Sequence, residues 1–198
     1  MNESNTVQKL KRRHIQVTVG VLLGISLVIG ILSLGLSFDP STSTNALLGK
    51  KANSFKVLLL QDELDSRVQG RKELSLDDFK GSPLILNFWA SWCVSCRHEA
   101  AIMEAFWKKY QARGIKMVGI AIQDTPDAAM KFAEYFGKTY ILGLDEEGKA
   151  GIDYGVTGVP ETFFIDRNGI IQHKEAGPVG MELLERMLVK IDPQVSTN

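Results

Sequence analysis

The chain is 198 residues long, 44% hydrophobic, and carries 23 basic against 23 acidic side chains. That length suits one compact domain with a single core, and the even charge without a basic stripe argues against a nucleic-acid partner. The zero net charge hides a split. Residues 1–14 hold Lys9, Lys11, Arg12 and Arg13 against the lone Glu3, so the rest of the chain is mildly acidic.

Residues 1–14 read as a basic cytoplasmic tail. Ile15 to Phe38 contains no charged residue and is dominated by Val, Leu, Ile and Gly. About 20 apolar residues cross a bilayer, so residues 15–38 are expected to form an uncleaved transmembrane anchor. A signal peptide would have a shorter apolar core closed by an Ala-x-Ala site. The positive-inside rule keeps the basic flank in the cytoplasm and sends everything after Phe38 outside, where disulfide chemistry is at home. Residues 39–53, rich in Ser, Thr, Asn and Gly, read as a linker, 54–192 as the folded domain and 193–198 as a frayed tail.

Within the domain, strands are expected at Phe55 to Gln61 and Arg71 to Leu74, and a helical turn at Ser75 to Phe79 with Ser75 as its cap. Leu84 to Trp89 is an apolar run of the length of a buried strand. A helix is expected from Cys93 to about Gln111, ended by Gly114, and then a strand from Lys116 to Gln123. Thr125 and Pro126 open the next helix as cap and first-turn proline, and it continues to about Phe136. A short strand at Tyr140 to Leu144 and a short helix at Gly148 to Tyr154 come next. Thr162 to Asp166 and Ile170 to Lys174 flank Arg167-Asn168-Gly169, a hairpin signal, and a helix at Met181 to Ile191 closes the domain. This alternation implies an α/β fold with helices on both faces of a central sheet.

The only two cysteines, Cys93 and Cys96, stand together on the expected strand-to-helix turn. A structural zinc site needs four ligands, and beyond His98 the remaining histidines, His14 and His173, are far off in sequence. A covalent haem site needs histidine directly after the second cysteine, where this chain has Arg97. A structural bridge closing so small a loop would be a weak staple. These readings leave a reversible dithiol/disulfide as the strong one. A helix starting near Cys93 offers its sulfur unpaired N–H groups and the positive end of the helix dipole. A fall in thiol pKa from about 8.5 to about 6.5 raises the thiolate fraction at pH 7 from roughly 3% to roughly 75%. Cys93 is therefore expected to be the attacking, more exposed nucleophile and Cys96 the resolving thiol.

The run from Leu86 to Glu99, Leu-Asn-Phe-Trp-Ala-Ser-Trp-Cys-Val-Ser-Cys-Arg-His-Glu, resembles the active-site segment of membrane-anchored thioredoxin-like proteins. Tyr154 to Asp166, Tyr-Gly-Val-Thr-Gly-Val-Pro-Glu-Thr-Phe-Phe-Ile-Asp, resembles their second signature. With Asn168-Gly169 and Gly177, these make residues 49–191 similar to the cytochrome c biogenesis group, the CcmG/DsbE and ResA/TlpA families. The resemblance implies a thioredoxin-like fold with a mixed sheet, and a thiol-disulfide oxidoreductase that reduces a protein disulfide in the periplasm or extracytoplasmic space. It implies apocytochrome c as client, at its Cys-x-x-Cys-His haem site. A membrane electron donor of the CcdA/DsbD type would re-reduce the pair, and no cofactor or metal beyond the dithiol is expected.

By the same resemblance Pro160 matches the proline that is cis in this fold and packed against the disulfide. Its expected role is to keep the Val159 backbone free to pair with an extended client segment. Glu99 matches an acidic residue kept near the cysteines, where it would relay a proton or raise a thiol pKa; the alternative is a surface carboxylate on the helix's first turn. Glu161 follows the proline as in the CcmG-like branch and is expected near the site, and Trp92 is expected to help shape it. Two departures stand out. Asn87 occupies the place of thioredoxin's buried aspartate, and an amide cannot titrate; Ser95 replaces a common proline before the second cysteine. Rival readings are a general disulfide reductase, a copper or haem chaperone using the thiols as soft ligands, and a thiol peroxidase. The last would want Thr where Ala90 stands.

Overall fold

The computed structural model describes residues 3–36, 47–60 and 70–194. Residues 37–46 of the expected anchor end and linker, Gln61 at the end of the first expected strand, and 195–198 of the expected tail lie outside them. The chain divides into two compact units, residues 1–43 and 44–198.

The first unit contains one helix, α1, Glu3–Leu36. At 1.5 Å per residue its 34 residues extend about 51 Å, longer than the roughly 30 Å hydrocarbon layer. Its stretch Gln16–Ser33 has a mean hydropathy of 2.1 and is long and apolar enough to cross a membrane. The Ser33 hydroxyl donates to the Ile29 carbonyl at 2.8 Å, the bond that lets a serine sit on an apolar helix without an unsatisfied donor.

The second unit holds a seven-stranded mixed sheet. Its strands are β1 (Lys56–Leu59), β2 (Glu73–Ser75), β3 (Leu84–Trp89), β4 (Lys116–Ile122), β5 (Ile141–Asp145), β6 (Glu161–Ile165) and β7 (Ile171–Ala176), in the order β2-β1-β5-β4-β3-β6-β7. The helices are α2 (Val94–Tyr110), α3 (Pro126–Tyr135), α4 (Lys149–Asp153) and α5 (Met181–Ile191). Strands β3, β4 and β5 run parallel, while β6 is antiparallel to β3 and pairs with β7 as a hairpin. The two crossovers β3-α2-β4 and β4-α3-β5 step the same way along the sheet, and right-handed connections then place α2 and α3 on one face. The apolar residues of α2, α3 and α5 accordingly share one core with Ile85, Trp89 and Phe164. The return from β5 to β6 carries α4 over the opposite face, where Ala150 and Tyr154 pack with Leu86, Phe88 and Phe163.

Local chemistry explains the ends of these elements. Every residue of β3 is buried, as expected of a strand covered on both faces. Gly114, at φ +82°, ends the α2 segment after its last turn tightens to a 3-10 form at Gln111–Arg113. The Thr125 hydroxyl accepts the Ala128 N–H at 3.3 Å, and Pro126 follows as the first helical residue. In the hairpin the Asp166 carboxylate accepts the N–H groups of Asn168 and Ile170, and Gly169 takes φ +78°. The observed strands differ from expectation by small shifts: β5 begins at Ile141 rather than Tyr140, and β7 runs on to Ala176. Cys93 is not the first helical residue but the cap before it.

Candidate active site

The end of β3 delivers the chain to a tight turn in which the Cys93 N–H donates to the Ala90 carbonyl at 3.2 Å. Cys93 caps α2 in an extended conformation, and its sulfur accepts the N–H of Cys96 at 3.0 Å. The two cysteines are joined by a disulfide. On reduction, the same N–H and the helix N-terminus favour negative charge on Cys93 over Cys96, because the second sulfur lies a turn further in. The expected difference in exposure is small: Cys93 is 4% and Cys96 2% exposed. What separates the two sulfurs in the oxidised state is their hydrogen bonding rather than their access to solvent. The Ser95 hydroxyl lies 3.4 Å from the Cys93 sulfur.

From the other end of the chain, the Val159 carbonyl oxygen comes within 3.4 Å of the Cys93 sulfur, across a sequence separation of 66. The Val159–Pro160 peptide bond is cis. The Pro160 carbonyl accepts the Gly177 N–H at 2.8 Å, whereas the Val159 N–H has no hydrogen-bond partner among the described residues. An extended chain could therefore pair with Val159 beside the sulfur.

Glu99 is 2% exposed, so it is not a surface carboxylate. One of its oxygens accepts the Asn87 amide N–H at 2.9 Å and the other accepts the Val179 backbone N–H at 2.9 Å. Asn87 also donates to the Thr162 hydroxyl at 3.0 Å. Burial pushes the Glu99 pKa up; the two hydrogen bonds and the charge of Lys138 pull against it without cancelling it. The buried acid absent from β3 is thus supplied by α2, one turn past Cys96, with Asn87 as its donor.

Glu161 is buried too, but it serves the loop before the proline. One oxygen accepts the Thr157 N–H and hydroxyl, each at 3.0 Å, and the other lies 2.7 Å from the Lys174 ammonium. Lys174 donates onward to the Gly155 carbonyl at 3.1 Å. This buried pair ties residues 155–157 to β6 and β7 and so steadies the approach to Val159.

Three residues of this neighbourhood were not singled out in the sequence. Asp124 follows β4, and its carboxylate accepts the Ser91 N–H at 2.6 Å, the Ser91 hydroxyl at 2.9 Å and the Thr125 N–H at 2.9 Å. Beside it Gln123 has φ +50°, the one positive φ outside glycine among the described residues, and its carbonyl accepts the Trp92 indole N–H at 2.9 Å. Trp92, 56% exposed, is thereby held on the rim of the redox turn rather than within the core. The sequence Asp124-Thr125-Pro126 does carry a helix-start signal, which concealed the second use of the carboxylate.

Lys138 is the third. Its ammonium sits 4.0 Å over the Trp89 ring and further from the Phe132 and Tyr140 rings, at 5.3 and 5.2 Å. Burial lowers its pKa to about 7, with Glu99 and Glu104 acting in the opposite sense. Gly119 makes this packing possible, since a Cβ there would meet the Trp89 indole nitrogen at 2.9 Å.

The model of the AhpC/TSA family matches residues 48–174. The thiol:disulfide interchange protein DsbE of Allochromatium vinosum is 36% identical over 163 residues, covering 81% of this chain and 84% of the relative. DsbE of Escherichia coli K12 is 36% identical over 148 residues, covering 74% and 75%. Among solved structures, a putative DsbE from Chlorobium tepidum superposes with a TM-score of 0.64 at 30% identity, covering 73% of this chain and 96% of that one. The disulfide at the cap of α2, the fold around it and these relatives agree: the chain belongs to the AhpC/TSA family, among its thioredoxin-like DsbE proteins, and is a thiol-disulfide oxidoreductase.

Proposed function

We propose that this oxidoreductase is a reductant held at the outer face of the cytoplasmic membrane, with apocytochrome c as its client. The observation that carries the reading is the Cys93 sulfur at the helix cap, supplied with the Cys96 N–H and placed against the open Val159 edge. In the reduced state the Cys93 thiolate attacks one sulfur of the client disulfide, forming a mixed disulfide and expelling the other client sulfur as thiolate. Cys96 then loses its proton and attacks the Cys93 sulfur. This forms the Cys93–Cys96 bond and releases the second client thiolate. Two electrons pass to the client, and water or nearby acid returns the protons. Glu99, buried one turn beyond Cys96 in the sequence of α2 with a raised pKa, is assigned as the acceptor of the Cys96 proton.

The client assignment rests on the resemblance to the cytochrome c biogenesis group. The apolar stretch of α1 and the basic residues before it support a tether with the N-terminus inside. Outside the cytoplasm soluble reductant is scarce, so a membrane electron donor of the CcdA/DsbD type would return the pair to dithiol. No cofactor or metal enters these steps.

The test is trapping. Reduced Cys96→Ser protein is expected to accumulate a disulfide adduct with apocytochrome through Cys93, releasable by dithiothreitol. An equal yield through Cys96 in a Cys93→Ser variant would overturn the assignment of roles. Recovery of many unrelated clients by the trapping variant would instead mark a general reductase.

A further inference from the structure

Beside the redox turn lies a groove of about 320 Å³, running from Ser91, two residues before Cys93, along α3 to Phe136. Phe132 and Phe136 give it an aromatic wall, and Tyr135, 80% exposed, stands at its rim. Arg97 and Lys131 line it, and among the described residues no carboxylate does.

Both cations are available to a visitor. The Arg97 guanidinium lies 5.8 Å over the Phe132 ring and makes one long bond, 3.4 Å, to the Ser91 carbonyl. That fixes its direction and leaves most of its five donors open. Lys131 is exposed and forms no ion pair among the described residues, although Asp127 and Glu134 lie one turn away on the same helix. The nearby carboxylate of Asp124 is turned to Ser91 and Thr125. A half-open aromatic wall with two unpaired cations fits a ligand that is partly apolar and carries negative charge.

We propose that this groove is a docking subsite for acidic side chains, Asp or Glu, that flank the reactive disulfide of a polypeptide client. The occupant is a polypeptide because the groove begins at Ser91, two residues before Cys93, and the Val159 carbonyl lies against the Cys93 sulfur, so one extended chain crossing the redox turn reaches both. Main-chain pairing at Val159 is blind to sequence, while a carboxylate against Arg97 and Lys131 distinguishes clients by charge. The proposal rests on the reading of this protein as a protein-disulfide reductase.

The experiment compares two synthetic disulfide peptides, identical except that the residues flanking the cysteines are Glu in one and Lys in the other. Their rates of reduction by the full-length reduced protein in detergent are expected to differ about tenfold at low ionic strength in favour of the Glu peptide, and less at raised salt. The Glu/Lys rate ratio is expected to approach one when Arg97→Gln and Lys131→Gln are combined, and to invert with Lys131→Glu added to Arg97→Gln. Because each ratio is taken within one variant, any effect on the redox pair itself cancels. Equal rates in the wild type, or a preference untouched by the substitutions, would sink the groove alone. Failure to reduce either peptide, while the neutral hydroxyethyl disulfide is still reduced, would overturn the reductase reading and the groove with it.

Discussion

Glu99 shows how much one carboxyl can depend on its surroundings. Its two oxygens each hold an N–H donor, yet burial still raises its pKa above the ordinary carboxylate value. A carboxyl whose folded pKa is raised binds its proton more tightly in the native state. Stability then falls as pH climbs from the unfolded value toward the folded one. Glu99→Gln removes that slope. In urea unfolding of the oxidised proteins, the wild type is expected to lose stability relative to Glu99→Gln as pH rises above the ordinary carboxylate value of 4.5. Parallel curves would mean that Glu99 ionises as readily folded as unfolded. A steady rate of mixed-disulfide resolution in the same variant would in turn remove it as acceptor of the Cys96 proton.

At the scale of elements, the redox turn is held from two sides by loops remote in sequence. Asp124 and Gln123, after β4, grip Ser91 and Trp92; Glu161 and Lys174, on the terminal hairpin, brace the segment that presents Val159. Asp124→Ala leaves the Ser91 N–H and hydroxyl without their acceptor. Loss of a charged acceptor from a partly buried donor costs about 1–3 kcal/mol, to be read from denaturant unfolding. The same variant is expected to slow reduction of a protein disulfide more than that of hydroxyethyl disulfide, since the loosened turn must still present Trp92 to a large client. Equal slowing would place the effect on the sulfurs themselves. These two braces also mark where sequence reasoning stopped. Leu84 to Trp89 and Met181 to Ile191 were recognisable end to end, because apolar run length and helical spacing are local properties. Asp124 stands just before a helix start carried by Thr125 and Pro126 and has no local signal of its own, and Lys138 sits in a Gly-Lys-Thr turn with the look of a solvated surface. Nothing local shows that Trp89, Phe132 and Tyr140 close over that amine.

The whole molecule consists of two units of different make-up. One holds a helix of 34 residues whose stretch Gln16–Ser33 is long and apolar enough to cross a membrane; the other carries its own two-sided core around a mixed sheet. A unit with its own core is able to fold by itself. Removal of residues 1–43 is expected to leave a protein that reduces hydroxyethyl disulfide at the full-length rate but no longer partitions into detergent or membrane. Loss of exchange in the truncated chain would show that the helix contributes to the active fold as well as to attachment.

The amino-acid sequence by itself determined the chemistry: two cysteines separated by two residues, at the join of an apolar strand and an amphipathic helix, with a membrane-length helix ahead of them. Those features depend on residues near one another in the chain, where backbone geometry and side-chain type act directly. Tertiary structure decided what surrounds the sulfurs. The order β5-β4-β3-β6 sets the Val159 carbonyl against Cys93 and Asn87 opposite Thr162, and the packing of α2 on that sheet buries Glu99 against Asn87. The physical reason is that desolvation and hydrogen bonding to a buried group are properties of the completed core. They exist only once segments far apart in sequence exclude water together.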